Sequence, residues 1–550
     1  MIDSIINNSE NFNYLLFHLP LALFTLGYLI VCRLTITGQL SSKRFWWISL
    51  IYIFLMRLQD FQMPFSMNPD EEQWLICANS IVDDPSLYFT TFFICDFTRF
   101  FSIIPLTFFR LFTDYVTYEH ARFLNICLFY YFIFLQFKLL SLWFNKSVVV
   151  PIITLFIVLF SSASHFDFVD YNSEMPSIVF FTLALYLFAR NIFTQNKSTF
   201  SYFHIGLILA ITPFIKEQGV FISLLISVLF SLKLIINKNW KALIYLYLGS
   251  LTFIIIYLGS VFLFYGFSDI IKIIETGLEY KSMGLNAAHS WEYYFIRAIK
   301  IEFLNKIWLI PVSLFLISFV NSWRNFNLSN DKSKSQALIF FSFLSLILLY
   351  TVNMSSNPLF HYTLFFNLSM PFIITLGFEK FLIQQENHIL VFLTISLVFI
   401  IQSDGQYQSL RKIYVNESQC KECFNNYNEK DIINQIIKEN RKSNDAMVIW
   451  GWENKYLVYN KLKRGSAYIY PQFAFKGYKN RQIVLNRYQN NINQIKPTFI
   501  AELVGKGRHW FNDRDKYGLS QNAPDLYLFI LDHYTILAEG QNYRIYKRKN

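Results

Sequence analysis

Long apolar stretches separated by short polar loops fill the first 402 residues of the chain. Runs long enough to cross about 30 Å of hydrocarbon recur about twelve times. They are 12–32, 45–62, 121–142, 148–163, 175–190, 203–216, 219–235, 242–264, 301–320, 336–352, 361–378 and 388–402. This pattern predicts a polytopic α-helical membrane protein.

One further apolar run, Phe100–Phe112, is too short and too interrupted to cross. Counting it as a crossing would also reverse every later loop against the charge bias. We predict a helix that lies in the outer membrane interface, inside a long first outer loop at about 63–120.

Basic and acidic residues fall in alternate loops. The basic set is Arg33, Lys43, Arg44, Lys138, Lys146, Arg190, Lys197, Lys233, Lys238, Lys241, Arg324, Lys332 and Lys334. The opposite loops carry Asp70, Glu71, Glu72, Asp83, Asp84, Asp96, Asp167, Asp170 and Glu174. Because cytoplasmic loops are rich in Lys and Arg, the basic loops are predicted to face inward. Both termini are then outside.

After residue 402 the pattern changes to that of a soluble domain. Helices are predicted at Asn428–Asn440 and Glu453–Leu462, and strands at Ala446–Trp452 and Pro497–Val504. Residues 534–538 and 543–547 flank a short turn and predict a hairpin. We therefore predict a transmembrane domain at 1–402 and a small extracytoplasmic α/β domain at 403–550.

Composition supports the membrane interpretation. Hydrophobic residues make up 54% of the 550 residues and charged residues 15%, with a mean hydropathy of +0.32. Soluble proteins carry about 25% charged residues, so a water-soluble enzyme of this length is excluded. From residue 403 onward, 24 Lys/Arg face 14 Asp/Glu. That basic excess suits a membrane surface or an anionic lipid-linked ligand, or is a solvated face; nucleic acid is not expected.

The six cysteines do not form a disulfide scaffold. Cys420 and Cys423 suit a local disulfide better than a zinc half-site, because a second CxxC is absent. Cys77 and Cys95 share the first outer loop and are candidates to pair. No His/Asp cluster requires a metal, and no cofactor is predicted.

The first candidate site is the acidic cluster Asp70, Glu71 and Glu72, which follows Asn68-Pro69. A carboxylate at the outer mouth of the helices could act as a general base toward an acceptor hydroxyl or amine. The alternative is an acidic helix start that complements the helix dipole.

The second candidate site is the loop between two apolar runs that holds Asp167, Asp170 and Glu174. Glu174 precedes Met175-Pro176 and an apolar helix, so it is predicted at an outward helix N-terminus. Acceptor positioning or sugar binding is one interpretation, and an ordinary helix cap is the other.

The third candidate site is Lys216-Glu217-Gln218, which interrupts about 30 largely apolar residues between Pro213 and Gly219. A lysine is a compact point charge that suits a phosphate or pyrophosphate. The alternative is a lysine that snorkels at a tight outer hairpin.

Three further residues stand at predicted outer boundaries. His361 opens a span and is either a substrate contact or an interfacial anchor. Arg99 and Arg122 flank the interfacial helix and could pair with the acids or hold a lipid phosphate. No glycine-rich phosphate loop, GxSxG or HExxH motif is present in the sequence.

These patches resemble the integral-membrane GT-C glycosyltransferases, in particular the prokaryotic protein O-mannosyltransferase and aminoarabinose transferase type. The similar segments are Asn68–Glu71, Ala121–Asn125, Tyr171–Pro176, Pro213–Gln218, Phe360–Tyr362 and Val448–Trp452. The likeness lies in their order and their predicted side of the membrane.

The resemblance implies an inverting transferase in a bacterial plasma membrane. It would move a sugar from a polyprenyl-phosphate donor to a glycan, lipid or protein acceptor at the outer face. Asp70 and Glu71 take the place of the family's Asp-Glu pair, with Asp70 the first candidate base. Lys216 takes the place of the donor-phosphate lysine, with Gln218, Arg99, Arg122, Asp170, Glu174 and His361 as further substrate contacts. Metal dependence varies across such enzymes.

Two other functions compete with this interpretation. A lipid-linked saccharide flippase should show inverted repeats and charges at the bilayer midplane, whereas these charges cluster at one face. An envelope glycan-binding protein could use Trp450, Trp452 and Tyr456 as a stacking surface for sugar.

Overall fold

The computed structural model describes residues 10–58, 69–84, 97–163, 168, 170–194, 199–275, 309–324, 331–353, 360–414, 432–475, 478–508 and 511–549. The chain forms two compact units. Unit 1 comprises Met1–Met63, Arg122–Ile256 and Ala287–Tyr414, and unit 2 comprises Pro64–Ala121, Tyr257–Asn286 and Val415–Asn550. The boundary predicted between residues 402 and 403 separates a membrane-embedded domain from a soluble one. It stays a prediction.

Unit 1 consists of helices, as expected where backbone groups cannot bond to water and must pair within their own segment. Its α-helices are Glu10–Ile36, Ser42–Met56, Tyr118–Leu140 (from residue 122), Lys146–Ser162, Glu174–Phe193, Phe200–Ile211, Gly219–Ile236, Trp240–Tyr265 (to residue 256), Leu309–Arg324, Lys332–Asn353, Met370–Ile383 and His388–Tyr414. Short 3₁₀ segments occupy Thr212–Phe214, Phe360–Leu368 and Gln385–Asn387. All twelve predicted apolar runs contain helix.

Within the described ranges, six helical segments are long and apolar enough to cross a membrane. They are His18–Ile36, Tyr118–Leu140, Glu174–Phe193, Gly219–Ile236, Trp240–Phe264 and Lys332–Thr351. Shorter apolar helices occupy Lys146–Ser162, Phe200–Phe214 and His388–Gln402. The prediction of a multi-pass helical membrane protein is confirmed.

Two glycines bring a pair of these helices into backbone contact. A Cβ atom at Gly206 would lie 1.9 Å from the Leu246 carbonyl oxygen, and one at Gly249 would lie 2.0 Å from that of Phe203. Ser250 Oγ donates to the Gly206 carbonyl across the contact at 3.0 Å. Small residues permit such close approach where lipid provides no hydrophobic drive for association.

Loops predicted to share the inner side lie together in unit 1. Lys334 Nζ lies 2.5 Å from Glu379 Oε1, and Lys233 Nζ donates to Gln336 Oε1 at 2.6 Å. Trp143 Nε1 donates to Ser333 Oγ at 3.1 Å. We call these six residues the basic end of unit 1. Their proximity agrees with the alternation of loops inferred from charge.

Unit 2 contains a five-stranded mixed sheet in the order β2-β1-β3-β5-β4. The strands are β1 Ala446–Gly451, β2 Lys463–Arg464, β3 Phe499–Leu503, β4 Tyr534–Gly540 and β5 Tyr543–Arg548. β1 is parallel to β2 and β3, whereas β5 is antiparallel to β3 and β4. The predicted strands and the hairpin are confirmed, and β2 was not predicted.

Helical segments precede β1 and connect the later strands along the chain. They are residues 432–440, Lys455–Asn460, Arg481–Ile495, Arg514–Tyr517, Leu519–Asn522 and Pro524–His533, with a 3₁₀ turn at Pro471–Ala474. The first part of the predicted helix Asn428–Asn440 lies outside the described residues. Trp450 and Tyr456 are buried in the core of this unit, so neither can stack on a sugar. Only Trp452 of that trio is partly exposed.

The described part of the predicted first outer loop belongs to the same unit. Helix Pro69–Asp83 packs on helix Lys455–Asn460 and on β2. Asn79 Nδ2 donates to the Val116 carbonyl at 3.0 Å, and its Oδ1 accepts from Val116 N–H at 2.8 Å. Tyr115 Oη donates to the Leu462 carbonyl at 3.2 Å. Through Val116 and Tyr115, these bonds connect helix Pro69–Asp83 to Leu462, the residue before β2.

The run Phe100–Phe112 forms two short helices, Phe100–Thr107 and a 3₁₀ helix Phe108–Leu111, rather than a crossing. Phe108, Leu111 and Phe112 are exposed in unit 2. Their placement in a membrane interface stays a prediction.

The cysteines are partly described. Cys77, on helix Pro69–Asp83, is disulfide-bonded. Its candidate partner Cys95 and the pair Cys420 and Cys423 lie outside the described residues, so both pairings stay predictions.

Candidate functional site

The loop before helix Glu174–Phe193 is ordered by its own side chains. Asn172 Oδ1 accepts from Met175 N–H at 3.2 Å, and Ser177 Oγ donates to the Ser173 carbonyl at 3.0 Å. The Asn172 bond satisfies one of the backbone N–H groups that a helix start leaves without a partner. Glu174 therefore begins the helix, where its negative charge is favoured by the dipole.

Lys216 lies in a tight break between two helices. Its N–H donates to the Thr212 carbonyl at 3.2 Å, and its carbonyl accepts from Gly219 N–H at 2.8 Å. A Cβ atom at Gly219 would lie 2.8 Å from the Thr212 carbonyl oxygen, so the close approach requires glycine there. This geometry holds the lysine between helix Phe200–Ile211 and helix Gly219–Ile236.

These two segments meet in a buried ion pair. Lys216 Nζ lies 2.7 Å from Glu174 Oε1, and the two side chains are 6% and 1% exposed. Two candidate sites that the sequence presents 42 residues apart are therefore one site. The interpretation of Lys216 as a snorkelling lysine is wrong, because its charge is held inside unit 1.

A buried ion pair is weak evidence for stability, since desolvation of two charges can exceed their attraction. Apolar residues of similar volume would often serve packing as well. A gain in stability therefore does not by itself account for this pair.

Other predicted residues of unit 1 lie on neighbouring segments. Asp170 is buried four residues before Glu174, and Arg122 is fully buried near the start of helix Tyr118–Leu140. One turn later on that helix, Asn125 Nδ2 donates to the Phe168 carbonyl at 3.1 Å. Arg122 thus lies on the helix that contacts the segment just before Asp170 and Glu174.

Gln218 is half-buried two residues after Lys216. The backbone of His361 lies in the 3₁₀ helix Phe360–Leu368, and its side chain lies outside the described residues.

Arg57 was missed by the sequence analysis. It is buried at the end of helix Ser42–Met56 and donates to the carbonyls of Ala163, at 2.8 Å, and Phe160. These carbonyls lie at the C-terminal end of helix Lys146–Ser162. Arg57 therefore holds the end of the helix that leads into the loop with Asp170. A lone arginine at the end of an apolar run was the signal that could have indicated it.

In unit 2 the three acids occupy the first turn of helix Pro69–Asp83. Glu71 and Glu72 are buried, whereas Asp70 is half-buried. Gln73 Nε2 donates to Asp70 Oδ1 at 2.8 Å, which fixes the orientation of that carboxylate. Asp70 is therefore the most accessible acid of the three.

Tyr470 was also missed. Burial raises its pKa well above the ordinary value, and the negative charges of Glu72 and Asp70 raise it further. Its ring stacks on Trp452 with centroids 4.0 Å apart. A neutral tyrosine hydroxyl therefore stands in the electrostatic field of the acidic cluster.

Arg99 ends the 3₁₀ helix Phe97–Arg99 in the same unit. Its guanidinium carbon lies 5.8 Å from the ring centroid of Trp74, on the acidic helix. Asp70, Glu71 and Arg99 thus share unit 2, while Lys216, Glu174, Asp170, Arg122 and Gln218 share unit 1. Within the described residues, no group of three His, Cys, Asp or Glu side chains is arranged to hold a metal.

Comparison with solved structures identifies the architecture. The chain is similar to the crystal structure of ArnT from Cupriavidus metallidurans bound to undecaprenyl phosphate, with a TM-score of 0.53 and 8% identity over 92% of this chain and 98% of that one. The apo ArnT structure gives a TM-score of 0.52 and 10% identity over the same shares. The fold is that of ArnT. No family model and no curated protein sequence matches this chain.

A third structure is less similar. It is the archaeal oligosaccharyltransferase AglB from Archaeoglobus fulgidus, in complex with an inhibitory peptide and a dolichol-phosphate. Its TM-score is 0.44, with 11% identity over 93% of this chain and 75% of that one.

Proposed function

We propose that this protein is a membrane glycosyltransferase that moves a sugar from a polyprenyl-phosphate donor to a cell-envelope glycan, lipid or protein acceptor. The observation that carries the proposal is the buried Lys216–Glu174 pair in an otherwise apolar helical unit. The likeness of the whole fold to ArnT, whose structure contains undecaprenyl phosphate, supports it.

In this proposal Lys216 contacts the donor phosphate. An ammonium group has three N–H donors, so a carboxylate that fixes its position leaves it able to donate to phosphate oxygens as well. Glu174 is then a positioning residue. Gln218, Arg99, Arg122, Asp170 and His361 are proposed as further substrate contacts.

Asp70 is the proposed general base. The acceptor oxygen or nitrogen attacks the anomeric carbon and forms the new glycosidic bond with inversion. The bond from that carbon to the phosphate oxygen breaks, and polyprenyl phosphate leaves with the electron pair. The acceptor proton passes to Asp70, and Glu71 is the second candidate for that role.

We further propose about twelve crossings of a bacterial plasma membrane, with both termini and the α/β domain at 403–550 outside. The disulfide of Cys77 supports this side for helix Pro69–Asp83, because disulfides persist in oxidising compartments. The charge alternation supports the same orientation.

Cysteine accessibility tests the orientation. With Cys127 replaced by Ser, cysteines introduced at 195 and 330 should react only with a reagent on the cytoplasmic side. One introduced at 480 should react only from outside. Reaction of position 480 from the cytoplasm contradicts the proposal, because unit 2 with Asp70 would then lie on the opposite side of the membrane from the one proposed.

The activity itself is tested with purified protein and synthetic polyprenyl-phosphate pentoses and hexoses, with and without EDTA. Release of polyprenyl phosphate that depends on an acceptor fraction from the cell envelope supports a transferase. Movement of intact donor across a vesicle membrane without cleavage supports a flippase instead.

Gln73→Leu should lower kcat about tenfold with KM little changed, because loss of a hydrogen bond to a charged group costs about 1.5–3 kcal/mol. The matched control is Gln435→Leu, which removes a similar bond to Glu439 between two exposed side chains. Equal activity of both variants would show that Gln73 does not orient the base.

A further inference from the structure

A pocket at the opposite end of unit 1 from the ion pair has the features of an anion site. It measures about 390 Å³ and lies between helix Ser42–Met56 and helix Tyr118–Leu140. Its lining includes Ser42, Lys43, Trp46, Tyr130, Phe134 and Lys138. Lys138 lies little more than one turn before Trp143, which places the pocket at the basic end.

The charges around this pocket are all of one sign. Lys43 and Lys138 are exposed, and neither forms an ion pair within the described residues. Helix Ser42–Met56 begins here, capped by Ser41, and has no acidic residue in its first turn. The positive end of this helix dipole adds to the two lysine charges. The negative end of helix Tyr118–Leu140, where Lys138 lies in the last turn, opposes it, so the lysines supply the net positive charge.

Two residues that line the pocket carry buried hydrogen-bond donors that lack an acceptor. Trp46 is 7% exposed, and its Nε1–H has no hydrogen-bond partner in the described part of the chain. Ser42 Oγ, one turn earlier on the same helix, is likewise buried without a partner there. An indole N–H can only donate, so an acceptor-rich ligand would satisfy it.

The walls and surroundings of the pocket suit a lipid rather than a soluble anion. Tyr130, Phe134 and Phe137 pack edge-on around the Trp46 ring. An exposed apolar stripe runs from the pocket along helix Ser42–Met56 and consists of Trp47, Ile51 and Leu55. A phosphate in the pocket would leave acyl chains free to follow that stripe.

We propose that this pocket binds the phosphate of an anionic phospholipid. Lys43 and Lys138 supply charge, and Trp46 Nε1–H and Ser42 Oγ–H supply directed bonds. Basic pockets between transmembrane helices on the cytoplasmic side are suited to such head groups. The site is separate from the Lys216–Glu174 pair and does not rest on the proposed transferase activity.

The test is native mass spectrometry of the purified full-length protein with phosphatidylglycerol or phosphatidylcholine. Phosphatidylglycerol should bind more tightly. The double variant Lys43→Gln/Lys138→Gln should lose about 30-fold in affinity for it, since each lysine near an anionic head group contributes about 1 kcal/mol. Trp46→Phe, which keeps the ring contacts, should lose roughly tenfold.

The matched control is Lys241→Gln/Lys332→Gln, which removes the same charge from exposed positions in predicted inner loops. Unchanged affinity in that variant supports the pocket. An equal loss in both double variants would show a diffuse basic surface and overturn the proposal. Equal binding of the two lipids would overturn it as well, as would displacement by inorganic phosphate or a preference for undecaprenyl phosphate.

Discussion

Asp70→Asn is expected to lower turnover by about 100- to 10,000-fold, with donor affinity little altered. Asn keeps the shape of the side chain but cannot take a proton from the acceptor, and general-base assistance typically contributes that factor. Single-turnover rates with a synthetic polyprenyl-phosphate sugar measure the effect on chemistry separately from binding.

Glu71→Gln and Glu72→Gln identify the base if it is not Asp70. Both side chains are buried in unit 2, so we expect smaller losses of turnover accompanied by reduced stability. Asp525→Asn is the matched control, since Asp525 also follows a proline in the first turn of a helix and is exposed. Wild-type turnover in all three cluster variants would show that helix Pro69–Asp83 does not hold the base.

Lys216→Ala is expected to weaken binding of the polyprenyl-phosphate donor roughly 10- to 100-fold, the loss of a charge-assisted hydrogen bond. Lys216→Arg should retain part of the affinity because it keeps the charge. Native mass spectrometry measures donor affinity. Thermal unfolding in detergent measures the stability of the same samples.

The ion pair complicates that substitution, because Lys216→Ala leaves Glu174 buried without its cation. Breaking a buried pair from one side costs about 3–5 kcal/mol of stability. The double variant Lys216→Met/Glu174→Gln removes both charges and should recover stability while donor affinity stays low. If the double variant binds donor like the wild type, the pair is structural and the phosphate lies elsewhere.

Features carried by local pattern were predictable from the sequence. Strand β1 ends one residue before its predicted end, and the predicted hairpin forms with a shorter turn, Gln541-Asn542, because β4 continues to Gly540. Apolar length alone located helix at all twelve runs. Each of these depends on residues close together in the chain, which periodicity and turn chemistry report directly.

Features that depend on distant contacts were not predictable. β2 has two residues and exists only through its parallel pairing with β1. Lys216 and Glu174 were both recognised, but nothing in one sequence indicates that they touch. Tyr470 resembles any other core aromatic until the fold places the charges of Glu72 and Asp70 near its hydroxyl.

The glycine contact between helix Phe200–Ile211 and helix Trp240–Tyr265 has a consequence for natural variation in this protein. Addition of one methyl group at Gly206 or Gly249 meets a backbone carbonyl that cannot rotate away. Leu248 on helix Trp240–Tyr265 is exposed, so we expect it to tolerate exchange for other apolar residues. In a collection of functional variants, Gly→Ala at Gly206 or Gly249 should therefore be rarer than larger changes at exposed apolar positions.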